Sequence, residues 1–193
     1  MNKKGLMVLA LAVLTAGGVF AQTTWWNSYA PAVADNKMFV NAVVGFGPTG
    51  GWDMGVPPVS ASVDFKLPIP APITLGAMTS FSTWRRTDNL ADDKIDATYT
   101  NIGLGLQGKY HFNFIEKVDA YAGFTIGYVM QNSEVKYSSE YASGNDGSYE
   151  GANFLLYGVS IGAHYFFSDF IGAYLELGYS PLQYLGVGIS RKF

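Results

Sequence analysis

Apolar and polar side chains alternate along this chain with a period of two. In "VDAYAGFTIGYVMQN", residues 118–132, Val118, Ala120, Ala122, Phe124, Ile126, Tyr128 and Met130 share one face. Asp119, Tyr121, Gly123, Thr125, Gly127, Val129 and Gln131 share the other. Successive side chains of a β-strand point to opposite faces, so the stretch predicts a strand with one apolar and one small, polar side. The pattern recurs over residues 38–46, 59–67, 73–81, 98–112, 152–167, 170–179 and 184–193, which makes eight strands in all. Only the start of the sixth is ambiguous, because Phe154 and Leu156 make it apolar on both faces. The connections at 67–72, 113–117 and 168–169 are short. Those at 47–58, 85–97 and 132–151 are long, and the last, at 180–183, is brief.

Which face points inward decides the class of protein. A soluble barrel dresses its exterior in charge, yet charged residues make up 14% of this chain against roughly 25% in typical soluble domains. Aromatics reach 16% and there are 23 glycines, as lipid-facing girdles and closely packed strands require. The apolar face is therefore expected outward, on an all-β, eight-stranded antiparallel up-and-down transmembrane β-barrel. Strands of about ten residues are long enough to cross a bilayer at a tilt.

Residues 1–21 read as a secretory signal. Lys3 and Lys4 precede an apolar core from Leu6 to Leu14, and Val19-Phe20-Ala21 offers a small-x-small cleavage site. Cleavage there removes two lysines and no acid, moving the formal charge from −3 to −5. No basic surplus remains to suggest nucleic acid. Residues 22–36 form a periplasmic lead-in whose Trp25-Trp26 pair is placed to pack at a barrel mouth, and 37–193 form a single barrel domain. With no cysteine, the fold holds without disulfides.

The chain closes on "LGVGISRKF", with Leu185, Val187 and Ile189 at alternate positions before Phe193. This resembles the terminal signal by which outer-membrane barrels are handed to their insertion machinery, with Arg191 departing from its usual apolar or aromatic residue. Over residues 37–193 the chain resembles the small eight-stranded outer-membrane barrels of the OmpX/OmpA/OmpW type. The resemblance implies residence in the outer membrane of a diderm bacterium, contact with outer-membrane lipid, short turns in the periplasm and long loops outside.

The inferred lumen face carries Asp64, Lys66, Lys109, His111, Asp119, Glu176 and Lys192. Acids and bases balance there, and charges withdrawn from bulk water persist when paired, so an internal ion-pair network is expected. A symmetric turn at 113–117 would set His111 opposite Asp119 and Lys109 opposite Tyr121. No serine or cysteine nucleophile is assigned beside that His–Asp pair. Neither His111 nor His164 begins the His-x-Ser spacing of the lipid A deacylase barrels, so no enzyme is expected. Asp88, Asp92, Asp93 and Asp96 lack Ca2+-loop spacing, and Gly50-Gly51-Trp52 matches a lipocalin-like Gly-x-Trp in the wrong place. No cofactor or metal is expected.

The 132–151 loop is rich in Tyr, Ser, Gly and Asn, the composition of binding paratopes. Its Tyr137, Tyr141 and Tyr149 are candidate contacts for an extracellular partner. The functional expectation is a surface-exposed structural or interaction protein, adhesin-like. The alternative is a narrow channel for small or apolar solutes, because at least twelve lumen-facing glycines leave room. A soluble barrel carrying an apolar ligand is the third reading.

Overall fold

The computed structural model describes residues 32–35, 37–47, 53–90, 93–113, 115–137 and 146–193. A single helical turn, α1 (Ala32–Asp35), precedes nine strand segments. These are β1 (Met38–Phe46), β2 (Asp53–Lys66), β3 (Ile73–Leu90), β4 (Asp93–Phe112), β5 (Val118–Tyr137), β6 (Gly147–Glu150), β7 (Phe154–Phe166), β8 (Ile171–Tyr179) and β9 (Leu185–Lys192). All paired strands are antiparallel, and β1 pairs with both β2 and β9. The sheet thus closes through eight strands, with β5 paired to β7. β6 lies outside that count. It pairs with the upper part of β5 and continues the β7 ribbon beyond a break at residues 151–153.

The apolar face is outward. Leu106 is 65% exposed and Ile126 52%, while Asp119 and Tyr121 on the opposite face of the same hairpin are fully buried. Exposed aromatics mark both ends of the outer surface. Phe65, Tyr165, Phe167, Phe170 and Phe193 lie near the short turns, and Phe46, Phe81, Tyr128, Tyr157 and Tyr179 lie towards the other end. Aromatic girdles of this kind sit at the two interfaces of a bilayer.

The long connections are more ordered than their polar composition suggests. β3 and β4 stay paired to Leu90 and Asp93, so most of the expected 85–97 loop is a hairpin. β5 runs to Tyr137 and pairs with β6, which turns much of 132–151 into a second projecting ribbon. Past the bilayer both faces of a strand meet water, so the apolar half of the pattern vanishes while the backbone ladder continues. β2 likewise begins at Asp53, and its register shifts between Met54 and Val56 and again between Val56 and Val59. Pro57 and Pro58 fall in the second shift, where a bulge tolerates residues that cannot donate to a ladder.

The turn at 113–117 is not symmetric. His111 pairs with Tyr121 and Lys109 with Gly123, two residues beyond the expected register. Lys117 adopts a left-handed φ of 67° there, an uncommon conformation for a residue with a Cβ. Because the shift is even, every side chain keeps its expected face.

Candidate functional site: the filled lumen

Three tiers of side chains fill the barrel. At the short-turn end, Val33 of α1 packs with Phe39 and Phe166. The lead-in therefore does meet the barrel, though through Val33; Trp25 and Trp26 lie outside the described residues. At the other end Val129, Leu156 and Leu182 form a second apolar cluster, joined by Met78 and Phe154. The ambiguous start of the sixth expected strand is resolved by this contact: Leu156 points inward because it closes the lumen. Leu182 comes from the 180–183 connection, which folds into the mouth. Ser180 Oγ accepts hydrogen bonds from the backbone N–H of Leu182 (3.3 Å) and Gln183 (3.0 Å), holding that turn.

Between the two plugs lies the polar tier. Asp64 accepts from Asn41 Nδ2 (3.0 Å), Gln107 Nε2 (2.5 Å) and Lys109 Nζ (2.9 Å). Lys109 Nζ also sits 4.9 Å from the centre of the Tyr121 ring and 5.6 Å from that of Tyr174. Asp119 Oδ2 lies 2.8 Å from His111 Nδ1 and 3.2 Å from His164 Nδ1. The Tyr121 and Tyr174 hydroxyls lie 2.7 and 2.8 Å from Glu176 Oε2, which Ser160 also approaches at 3.1 Å.

Glycines let these side chains reach one another. Tyr121, Gly162 and Glu176 follow in one row across β5, β7 and β8. A Cβ at Gly162 would collide with the Tyr121 hydroxyl, so the ring crosses the bare backbone to reach Glu176. Asp64, Gly76 and Gln107 repeat the device across β2, β3 and β4. At Gly76 and Gly162, then, the room that the channel alternative relied on is taken by neighbouring side chains. A cavity of about 50 Å3 remains beneath Leu182.

The residues expected in the lumen are distributed unevenly. Asp64, Lys109, His111 and Asp119 are buried, and Glu176 is half-buried beside them. Lys66 and Lys192 sit half-buried at the short-turn mouth, with the Lys192 ammonium 4.3 Å from the centre of the Phe166 ring. His164, which the same alternation assigns inward, faces Asp119 directly across β5 and β7. Its even position on β7 is the signal that places it. The shifted register turns His111 and Asp119 from opposite partners into diagonal ones that still touch.

Thr74 Oγ1 lies 3.0 Å from His111 Nε2, completing a Thr–His–Asp chain. All three groups are buried behind Val33, Phe39 and Phe166. This chain of contacts ties β3, β4 and β5 together. Among the described residues no group of three His, Cys, Asp or Glu side chains gathers to hold a metal. Asp88 pairs with Arg86 at 3.0 Å and Asp96 accepts from Thr87, while Asp92 and the Asp93 side chain lie outside the described residues.

On the outer surface Val187, Ile189 and Phe193 are exposed and Leu185 is half-buried. The Arg191 guanidinium sits 4.5 Å from the Phe193 ring centre and 5.6 Å from that of Phe170. Such cation–π contacts suit an arginine at an aromatic interface. Tyr137 is half-buried in β5 and Tyr149 is 55% exposed in β6. Tyr141 and Gly50-Gly51-Trp52 lie outside the described residues.

No family model and no curated protein matches the chain. Among solved structures it is similar to Ail, the attachment invasion locus protein of Yersinia pestis, at 15% identity and a TM-score of 0.44, over 81% of this chain and 96% of that one. It is similar to a transmembrane β-barrel designed de novo, at 15% identity and a TM-score of 0.48, over 86% and 98% of the two chains. The Neisserial surface protein A gives 12% identity and a TM-score of 0.45, over 81% and 95%. The fold itself rests on the strand pairing and the apolar exterior.

Proposed function

We propose that this chain is an integral outer-membrane protein of the small eight-stranded barrel type, whose work is done by the projecting sheet rather than by the lumen. The supporting observation is the stacking of the interior: a bonded polar tier lies between two apolar plugs, while β3–β4 and β5–β6 continue past the outer aromatic girdle. A filled barrel offers solutes no path and serves as a rigid base. What it presents is a ribbon bearing exposed Tyr149 and half-buried Tyr137. Tyrosine supplies large contact area at low entropic cost, as partner-binding surfaces use it. The reading is an adhesin-like surface protein for an extracellular partner, anchored by outer-membrane lipid and inserted by the barrel machinery.

The test uses cells carrying the full chain or a version in which residues 133–151 are replaced by a short Gly/Asn turn. At matched surface levels, the full chain should promote attachment to host cells or matrix and the replacement should not. Equal attachment by both overturns the surface-interaction reading.

A further inference from the structure

Arg191 interrupts the apolar alternation of Leu185, Val187, Ile189 and Phe193, and it stands on the lipid-facing wall. Ile189, two residues before it on the same face, is 62% exposed, and Phe193, two residues after it, 49%. The guanidinium lies 4.5 Å from the centre of the Phe193 ring and 5.6 Å from that of Phe170. Among the described residues no carboxylate lies within ion-pair distance of it, and no hydrogen bond occupies its donors. A cation–π contact engages the charge and leaves the five N–H donors open.

A charge on that wall needs an anion at hand. Long basic side chains on a lipid-facing surface snorkel to the interface, and the aromatic rings around Arg191 mark that depth. The anions there are lipid phosphates, and the planar fork of arginine matches a phosphodiester. The neighbourhood adds charge. Lys37, whose backbone N–H donates to the Phe193 carbonyl at 2.8 Å, is exposed beside it. Among the side chains described at the short-turn end, Lys66, Lys117 and Lys192 join these two, against exposed Glu116 and Asp169. Such a surplus favours a headgroup with net negative charge over a zwitterionic one. Farther from the turns the wall dips, where Ala42 and Ala61 pair across β1 and β2 beside Ile189. Both alanines are exposed, and the dip can seat an acyl chain.

We propose that Arg191, held by Phe170 and Phe193, binds the phosphate of an anionic glycerophospholipid in the leaflet on the short-turn side. Lys37 supplies a second positive charge, and the dip at Ala42 and Ala61 takes one chain. The lipid then straddles β9 and β1, the pair of strands through which the ring closes. Bound there, it stabilises the closed barrel. The site rests on the membrane-spanning barrel alone. It makes no use of the projecting ribbon, so this test and the attachment assay fail independently.

The experiment refolds the full chain in a non-ionic detergent and titrates phosphatidylglycerol against phosphatidylcholine of identical chains. Thermal unfolding is followed, and native mass spectrometry counts the lipid retained. Phosphatidylglycerol should stabilise the native chain saturably and persist as a bound species, which phosphatidylcholine should not match. Arg191→Gln should weaken the apparent affinity about tenfold, near 1.4 kcal/mol. Lys117 provides the control, because it joins β4 to β5, across the ring from β9 and β1. Lys117→Asn removes one positive charge from the same end, suits the left-handed φ there, and should leave the titration unchanged. Equal losses in Arg191→Gln and Lys117→Asn overturn the proposal, because the rim then attracts lipid by diffuse charge. Equal stabilisation by the two lipids overturns it as well, since headgroup charge is then not read. An unchanged titration in Arg191→Gln refutes the site outright. If that variant does not fold, Arg191→Met decides by the same comparison.

Discussion

Individual lumen residues are held by partners that a single truncation leaves stranded. Asp64 and Lys109 are both almost fully buried, and removing one side of such a pair leaves an uncompensated charge inside. Lys109→Met should destabilise the barrel by roughly 3–5 kcal/mol, measured by urea unfolding in lipid vesicles. Pairing it with Asp64→Leu should recover much of that loss, since the stranded charge goes too. Gly162 gives a second expectation. A methyl there meets the Tyr121 hydroxyl and the Leu175 carbonyl, so Gly162→Ala should cost about 1–3 kcal/mol as an overpacked site. Adding Tyr121→Phe should relieve part of it. On the outer face, Ile126→Arg should cost roughly 2–4 kcal/mol, while Thr125→Ala on the lumen side costs less. A folding assay in lipid that ranks those two the other way would invert the assignment of faces. These faces were readable from alternation, since parity alone decides them. The contacts were not: parity puts Asp119, His111 and His164 on one face without saying that one carboxylate oxygen serves both rings.

Strands and turns behave differently on the two sides of the bilayer. At the short-turn end, β1 begins and β4 ends where the alternation says they should, because lipid on one face and packed lumen on the other enforce it. At the far end the strands outrun the pattern. β5 carries Glu134 and Lys136 on the face that lower down bears Ile126 and Tyr128, and pairing persists because Asn132–Val135 of β5 bond to β6. That ribbon contributes little to the closed ring of eight. Replacing residues 133–151 with a short turn should therefore leave heat-modifiable mobility on gels and unfolding stability nearly unchanged, as expected for backbone removed from outside a core. Protease added to intact cells should cleave the native chain within 133–151 first. Cleavage there only after the outer membrane is permeabilised would reverse the orientation.

At the scale of the molecule, the question is whether anything passes through. Eight strands leave an interior that side chains can just fill. Here the polar tier is shut on one side by Val33, Phe39 and Phe166 and on the other by Val129, Leu156 and Leu182. Purified protein in planar bilayers should accordingly give no steady conductance steps of porin size. Reproducible large steps would overturn the filled lumen and put the channel ahead of the surface-interaction reading. Replacing Leu182 with Gly is the informative companion, because that side chain is the part of the outer plug supplied by a connection instead of a strand. Brief small steps in this variant alone would locate the outer closure at residue 182.

The sequence by itself determined the barrel: strand number, which face meets lipid, which end carries short turns, and a lumen carrying both signs of charge. Each of these follows from period-two patterning and composition, which are local properties that survive any even slip of register. Tertiary structure alone decided the partners. The two-residue shift at Lys117, the reach of Tyr121 across Gly162 to Glu176, and the infolding of Leu182 depend on closure, which brings residues 53 positions apart, such as Tyr121 and Tyr174, to 2.7 Å. It also decided that Asp64 and Tyr121 fill the space at Gly76 and Gly162, because the room beside a missing side chain belongs to whichever neighbour the closed ring brings there.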